Sequence, residues 1–140
     1  MSDLSKLKQL SDLKYHKSEQ ALAKVRDRET ALRSELKRLQ GLAHETHCQP
    51  AVDAELRAIG GDIIWLKWLA ANQRRVSIEL AQVLAQKEVL LVRFRKDNGK
   101  KSVAQRLVSQ EALKFEAERK RKRLDQIMDM AQTRLGDRDQ

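Results

Sequence analysis

The chain has 140 residues, of which 35% are charged, 41% are hydrophobic and only 4% are aromatic, with five glycines and one proline. This balance argues against β-sandwiches and β-barrels, which need many turns and strands rich in aromatic or β-branched residues. It is typical of long helices and coiled coils, so a large rounded core is not expected.

The formal net charge of +9, from 29 Lys and Arg against 20 Asp and Glu, is spread along the chain. A diffuse positive surface suits nucleic acid, anionic lipid or an acidic protein, and charge alone does not choose among them. The single cysteine, Cys48, excludes an internal disulfide framework and fits a reducing compartment. The sequence starts without a secretory signal pattern, and its longest apolar runs, Ile63–Leu66 and Val89–Val92, are too short to span a bilayer. We therefore expect a soluble, cytoplasmic protein.

The first predicted helix covers about residues 4–43. Its apolar positions step alternately by three and four, a heptad seam interrupted by one glutamate: Leu22, Val25, Glu29, Leu32, Leu36, Leu39 and Ala43. Upstream, leucines repeat every three residues, at Leu4, Leu7, Leu10 and Leu13. Because this stripe drifts around the helix, the sequence predicts a bend or a change of partner face near Tyr15.

Residues 44–61 form the predicted tip of a hairpin. Gly41, Pro50 and Gly60-Gly61 punctuate this region around a short helical candidate that contains Val52, Leu56 and Ile59. The predicted second helix runs over about residues 62–135, with Asp62 as its N-cap.

The second helix carries a seam at heptad spacing, and a second seam parallel to it widens the apolar face beyond that of a two-helix seam. The first contains Ile63, Leu66, Ala70, Gln73, Ser77, Leu80, Leu84, Lys87, Leu91 and Phe94. The second contains Leu69, Val76, Leu80, Val83, Leu90 and Phe94. The polar residues Glu29, Gln73, Ser77 and Lys87 interrupt these seams and are candidates for fixing the register.

A turn signal at Asp97-Asn98-Gly99 is followed by a capping-box pattern, Ser102-Val103-Ala104-Gln105. It predicts a possible break at residues 98–101. The fold class is therefore all-α: a single elongated domain over residues 1–140, built as a long antiparallel two-helix coiled-coil hairpin. The alternative is a three-helix bundle in which the chain turns at Asn98-Gly99.

Little in the sequence points to catalysis. His44, His47 and Cys48 are the one local cluster of metal-capable side chains, but a closed zinc site needs a fourth ligand, so no metal site is expected. None of the GxxxxGK[ST], GxGxxG, GxSxG and HExxH motifs occurs, and a thin helical rod lacks the cleft that catalytic carboxylates need. We expect no enzymatic activity, no cofactor and no small-molecule substrate.

Two clusters are candidates for partner binding. Arg119-Lys120-Arg121-Lys122-Arg123 is the densest basic run, and it reads equally well as a solvated helix face or as a surface for an anionic partner. Trp65 and Trp68 lie three residues apart on one helix face, where they either pack against the tip or anchor a partner.

The layout resembles the type III export stalk family, which comprises flagellar FliJ and its virulence-system counterpart YscO. The resemblance covers essentially the whole chain and rests on three features: the heptad first helix, the aromatic-apolar onset Ile63-Ile64-Trp65-Leu66-Lys67-Trp68-Leu69, and the alternating charges of residues 111–120. Members of the family resemble the coiled-coil stalk of a rotary ATPase.

The resemblance implies a stalk or adaptor, flagellar or virulence-associated, at the inner-membrane export apparatus. It would couple a hexameric export ATPase to the membrane export gate, and it could also escort other export chaperones. The residues implied to face the ATPase pore are Arg119, Arg121, Lys122, Arg123, Leu124, Ile127 and Met128, together with Leu4, Leu7 and Leu10. Those implied to contact the export gate are Trp65, Trp68 and Leu69.

Two alternative functions remain. A basic coiled coil could bind nucleic acid, although no aromatic residue interleaves with the basic run for base stacking, which makes this the weaker interpretation. The chain could also be a self-assembling structural coiled coil, because exposed heptad stripes serve packing within and between molecules equally well.

Overall fold

The computed structural model describes residues 3–48 and 60–139. Helix α1 spans Asp3–Cys48 and helix α2 spans Gly61–Arg138. They pack against each other in antiparallel directions, because Thr46 near the end of α1 contacts Trp65 near the start of α2, and Glu29 contacts Lys87 further along. The predicted all-α, two-helix coiled-coil hairpin is confirmed.

Helix α1 extends further than the sequence indicated. Residues 44–48, assigned to the tip, are helical, and the Thr46 hydroxyl donates a hydrogen bond of 2.8 Å to the carbonyl of Leu42 inside the last turns. The short helical candidate with Val52, Leu56 and Ile59 lies outside the described residues. Gly60 precedes α2 with a φ of +77°, a left-handed conformation that glycine adopts at little cost.

The predicted N-cap at Asp62 is wrong. Helix α2 already begins at Gly61, so Asp62 lies in the first turn, and its buried Oδ1 makes no hydrogen bond within the described part of the chain. A carboxylate there still faces the positive end of the helix dipole, which explains why the residue suits this position.

The predicted break at residues 98–101 is also wrong. Helix α2 continues through Asn98-Gly99, and Ser102, the proposed start of a capping box, lies in its interior. A glycine inside a helix costs only about 1 kcal/mol relative to alanine, so helical residues on both sides outweigh it. The chain therefore does not turn there, and the three-helix alternative is excluded.

The contacts group into two compact units. The central unit, His16–Lys96, contains the hydrophobic core. Every position of the predicted α1 seam from Leu22 to Ala43 is buried or half-buried. On α2 every position of the second seam is buried or half-buried. The first seam is buried or half-buried throughout from Leu80 to Phe94, and its exposed positions are Ile63, Ala70 and Ser77. The core residues are Leu32, Leu39, Leu69, Val76, Leu80 and Val83.

The terminal unit, Met1–Tyr15 with Asp97–Gln140, has a different interior. Its buried residues are Ser11 and Ala104, while Leu7, Leu10 and Leu13 are 45%, 51% and 66% exposed. The predicted change of partner face near Tyr15 is therefore wrong. The seam of this part of α1 keeps the steps of three and four, at Leu4, Lys8, Ser11 and Tyr15, and Ser5 and Asp12 beside it are also half-buried.

Glu111 is the last residue of α2 that is at least half-buried. Every residue from 112 to 139 is exposed, over a helical length of about 40 Å.

Candidate partner-binding surfaces

A polar pair lies within the apolar seam of the central unit. The Lys87 ammonium donates a hydrogen bond of 2.8 Å to Glu29 Oε2, and Arg33 donates one of 3.1 Å to Glu29 Oε1. The Lys87 hydrogen bond lowers the pKa of Glu29; desolvation opposes this shift, and Arg33 adds to it. Two of the residues predicted to interrupt the seams thus contact each other across the helices, as expected of a pair that sets register.

A second cross-helix pair flanks this seam. Arg28 and Glu79 form an ion pair of 3.1 Å, and Glu79 also accepts a hydrogen bond of 3.2 Å from Arg75. Arg28 immediately precedes Glu29, and Glu79 immediately precedes Leu80, so both lie at the edge of the seam. Edge charges of this kind select partner and orientation in coiled coils.

The tip end of the central unit presents two tryptophans. The rings of Trp65 and Trp68 stack with centroids 5.2 Å apart and an angle of 12° between their planes. Trp65 Nε1 donates a hydrogen bond of 2.9 Å to Thr46 Oγ1, which ties the start of α2 to the end of α1. The two rings are 38% and 50% exposed, whereas Leu69 is 1% exposed and packs in the core. Of the three residues predicted to contact the export gate, only Trp65 and Trp68 are exposed enough to contact a partner.

The predicted ATPase-facing residues do not form one patch. Arg119, Arg121, Lys122 and Arg123 lie on the exposed part of α2, beyond the last half-buried residue, Glu111. Leu124, Ile127 and Met128 follow them and are 60%, 57% and 59% exposed.

The leucines assigned to the same surface lie on α1, where Leu4 is half-buried and Leu7 and Leu10 are exposed. The terminal unit thus offers two surfaces: leucines on α1, and a basic segment followed by apolar residues on α2.

The sequence interpretation missed a contact between the two helices in the terminal unit. The Lys101 ammonium lies 3.9 Å from the centroid of the Tyr15 ring, a cation–π geometry. Both residues occupy half-buried seam positions, so continuing the heptad count from Leu22 back to Tyr15 would have found the tyrosine.

The histidine and cysteine cluster is local. His44 Nε2 and Cys48 Sγ lie 3.6 Å apart on adjacent turns of α1. Within residues 3–48 and 60–139, no group of three or more His, Cys, Asp or Glu side chains is arranged to hold a metal ion. Among the same residues, neither helix includes a stretch long and apolar enough to cross a membrane.

Comparisons of the chain with protein-family models, with curated proteins and with solved structures find no match. The candidate surfaces therefore have to be interpreted from their own chemistry.

Proposed function

We propose that this protein is a non-enzymatic stalk or adaptor of a type III export apparatus, flagellar or virulence-associated, that couples a hexameric export ATPase to the membrane export gate. It would act in the cytoplasm at the inner-membrane apparatus. The observation that carries the proposal is the segment 112–138 of α2, a continuous helix whose residues are all exposed.

A long helix in a folded protein is normally stabilised by packing one face against other elements. The segment 112–138 instead exposes large apolar side chains together with a basic run. The exposed fractions are 60% for Leu124, 57% for Ile127, 59% for Met128, 66% for Met130 and 64% for Leu135. Solvent is a poor environment for such a surface, and a second protein that covers it supplies the missing burial.

The charge of the segment suits an anionic partner. Residues 119–123 are all Lys or Arg, and Leu124, Ile127, Met128 and Met130 follow within about two turns. An anionic protein surface with apolar grooves would complement this arrangement. In the family that the chain resembles, the joined termini of the hairpin enter the pore of the hexameric export ATPase, so that pore is the proposed binding surface.

The tryptophan pair supplies the second contact of an adaptor. Trp65 is held by its hydrogen bond to Thr46, so the stacked rings present a preformed apolar face. Exposed, rigid tryptophans are typical anchors of protein interfaces. This face is the proposed contact with the export gate.

The proposal is tested by charge reversal in two matched triple variants of the full chain. Arg121→Glu, Lys122→Glu and Arg123→Glu change the basic segment, whereas Lys17→Glu, Lys24→Glu and Lys37→Glu make the same change in net charge at exposed positions of the central unit. Calorimetric titration into the cognate hexameric ATPase should show affinity reduced by about tenfold or more for the first variant only.

Equal affinity of the first variant and the wild type would contradict the proposal. A parallel titration with generic duplex DNA at low salt tests the nucleic-acid alternative, whose affinity would fall steeply with added salt.

A further inference from the structure

The outer face of α2 in the central unit carries a heptad stripe that the hairpin does not use. It lies opposite the buried face of Leu69, Val76 and Val83, and its members again step alternately by three and four. The stripe consists of Ala71, Arg75, Ile78, Gln82, Ala85, Val89 and Val92. Trp68, one step before Ala71, belongs to the tryptophan pair described above.

All seven residues of this outer stripe are exposed. Its three large apolar side chains are at least half-exposed: Ile78 is 54%, Val89 64% and Val92 52% exposed. Apolar residues scattered over a surface need no explanation, but a row at coiled-coil spacing over about 32 Å is the pattern of a helix interface.

The alternation of small and large side chains along the stripe suits helix packing. Ala71 and Ala85 are small residues between larger neighbours, and a shallow apolar groove is lined by Ala85, Gln86, Val89 and Leu90. In a coiled coil, a side chain of one helix enters a hole formed by four residues of the other. The groove at Ala85 is such a hole.

We propose that this stripe binds the same stripe of a second copy of the chain, with the two α2 helices parallel. The charges at its edges favour this occupant. In a parallel pair, a residue at one edge faces the residue five positions later at the opposite edge of its neighbour. Arg74 then faces Glu79 of the second copy, and Glu88 faces Arg93 of the second copy. Both pairs are attractive, and each occurs twice by symmetry.

An antiparallel pair is less complementary, because each edge then meets the same edge of the other copy. In the register that brings the two Glu79 side chains together, Arg74 faces Glu88 of the second copy, which is attractive, but Lys67 lies near Arg95 of the second copy. Like charges in these positions are unfavourable, so the edges select the parallel arrangement.

The two polar members of the stripe are compatible with this pairing. The Arg75 guanidinium is drawn to the edge by its hydrogen bond of 3.2 Å to Glu79. Gln82 meets Gln82 of the second copy, where two amides exchange hydrogen bonds; a polar residue inside a coiled-coil seam fixes register and the number of strands.

The dimer is tested by sedimentation equilibrium of the full chain. The wild type should reach the mass of two copies, and the double variant Ile78→Glu with Val89→Glu should weaken the dissociation constant by at least about tenfold. The control is Leu113→Glu with Phe115→Glu, two comparably exposed apolar residues of the terminal unit, which should leave the dimer intact. Circular dichroism confirms that all variants stay helical. A wild type that remains a single copy at every concentration, or a dimer insensitive to the first pair of changes, overturns the proposal.

The orientation has its own test. Val92→Cys in a Cys48→Ser background should form a disulfide-linked dimer on mild oxidation, because parallel helices bring the two positions together. Glu88→Arg and Arg93→Glu should each weaken the dimer, and the two combined should restore it. An absence of cross-linking, or a combined variant weaker than either single one, overturns the parallel arrangement. Neither test depends on a role in export.

Discussion

The central and terminal units have the same heptad spacing of buried positions, but the residue types at those positions differ. In the central unit the seam is filled mainly by leucine and valine, with one buried serine, Ser18, near its start, and its polar pair, Glu29 with Lys87, is satisfied across the helices. In the terminal unit the buried seam positions are Ser11 and Ala104, and the Lys101 ammonium lies over the Tyr15 ring. The spacing of the buried positions is thus the same in both units, whereas the amount of apolar surface buried at those positions differs.

The comparison explains why exposed leucines accumulate in the terminal unit. The buried positions of α1 keep the spacing of three and four from Ala43 back to Leu4. Leucines repeating every three residues leave that register, so Leu7, Leu10 and Leu13 rotate away from the seam. These side chains are available to a partner because they do not contribute to the core.

The largest difference in stability is expected between two matched leucine truncations, one in each unit. Leu39→Ala removes a side chain that is 1% exposed and should destabilise the protein by about 2–5 kcal/mol, whereas Leu10→Ala, at a position 51% exposed, should change stability by less than about 0.5 kcal/mol. Urea unfolding followed by circular dichroism measures both. Equal losses would mean that the terminal leucines are packed and that the contrast is incorrect.

A smaller effect is expected at the polar pair of the central seam. Lys87→Met leaves Glu29 without its hydrogen-bond donor from α2 and should lower the free energy of unfolding. Glu29→Leu combined with Lys87→Leu should recover most of the loss, because an apolar pair fits a leucine-rich seam. The check is a double-mutant cycle; purely additive effects would show that the two side chains do not interact in solution.

The same pair predicts a pH dependence. The folded-state pKa of Glu29 is lowered below 4.5, so its contribution to stability is present above the unfolded pKa and is lost as the pH falls through the folded value. The wild type should therefore lose more stability than Glu29→Gln on acidification from pH 6 to about pH 3, the range of ordinary carboxyl titration. Identical pH profiles of the wild type and Glu29→Gln in thermal unfolding would contradict the lowered pKa of Glu29.

The smallest effect on stability is expected from removing the cation–π contact of the terminal unit. Lys101→Met keeps the aliphatic stem over Tyr15 and removes the charge, and it should cost about 0.5–1 kcal/mol. Native-state hydrogen exchange of residues 4–15 is the sensitive measurement, since local opening of this segment should become more frequent. Unchanged exchange there would show that the ammonium contributes nothing measurable.

Much of the fold was predictable because heptad spacing is a local signal. The α1 seam from Leu22 to Ala43 was predicted position by position, and the cross-helix partners Glu29 and Lys87 were both identified as interruptions. The exposure of Ile63, Ala70 and Ser77 at the start of the first α2 seam was not predictable in this way, because these positions have the correct spacing and only packing decides which of them α1 covers.

The errors have a common physical origin. Asn98-Gly99 and Ser102-Gln105 are turn and cap signals whose energies are about 1 kcal/mol each, too small to interrupt a helix with residues on both sides. The leucine spacing at Leu4–Leu13 was given more weight than the register of the neighbouring seam. For the candidate surfaces, the sequence identified Trp65, Trp68 and the basic run. It placed Leu69 both in a seam and at the gate surface, and the structure buries it. It did not indicate that the outer stripe of α2 would be exposed.

The central claim is that the exposed segment 112–138 of α2 is a partner surface, and hydrogen–deuterium exchange tests it most directly. In the isolated protein, amides of residues 112–138 should exchange faster than those of residues 69–83, which line the core. On addition of the hexameric export ATPase, residues 112–138 should become strongly protected. Unchanged exchange of that segment at saturating ATPase would contradict the account.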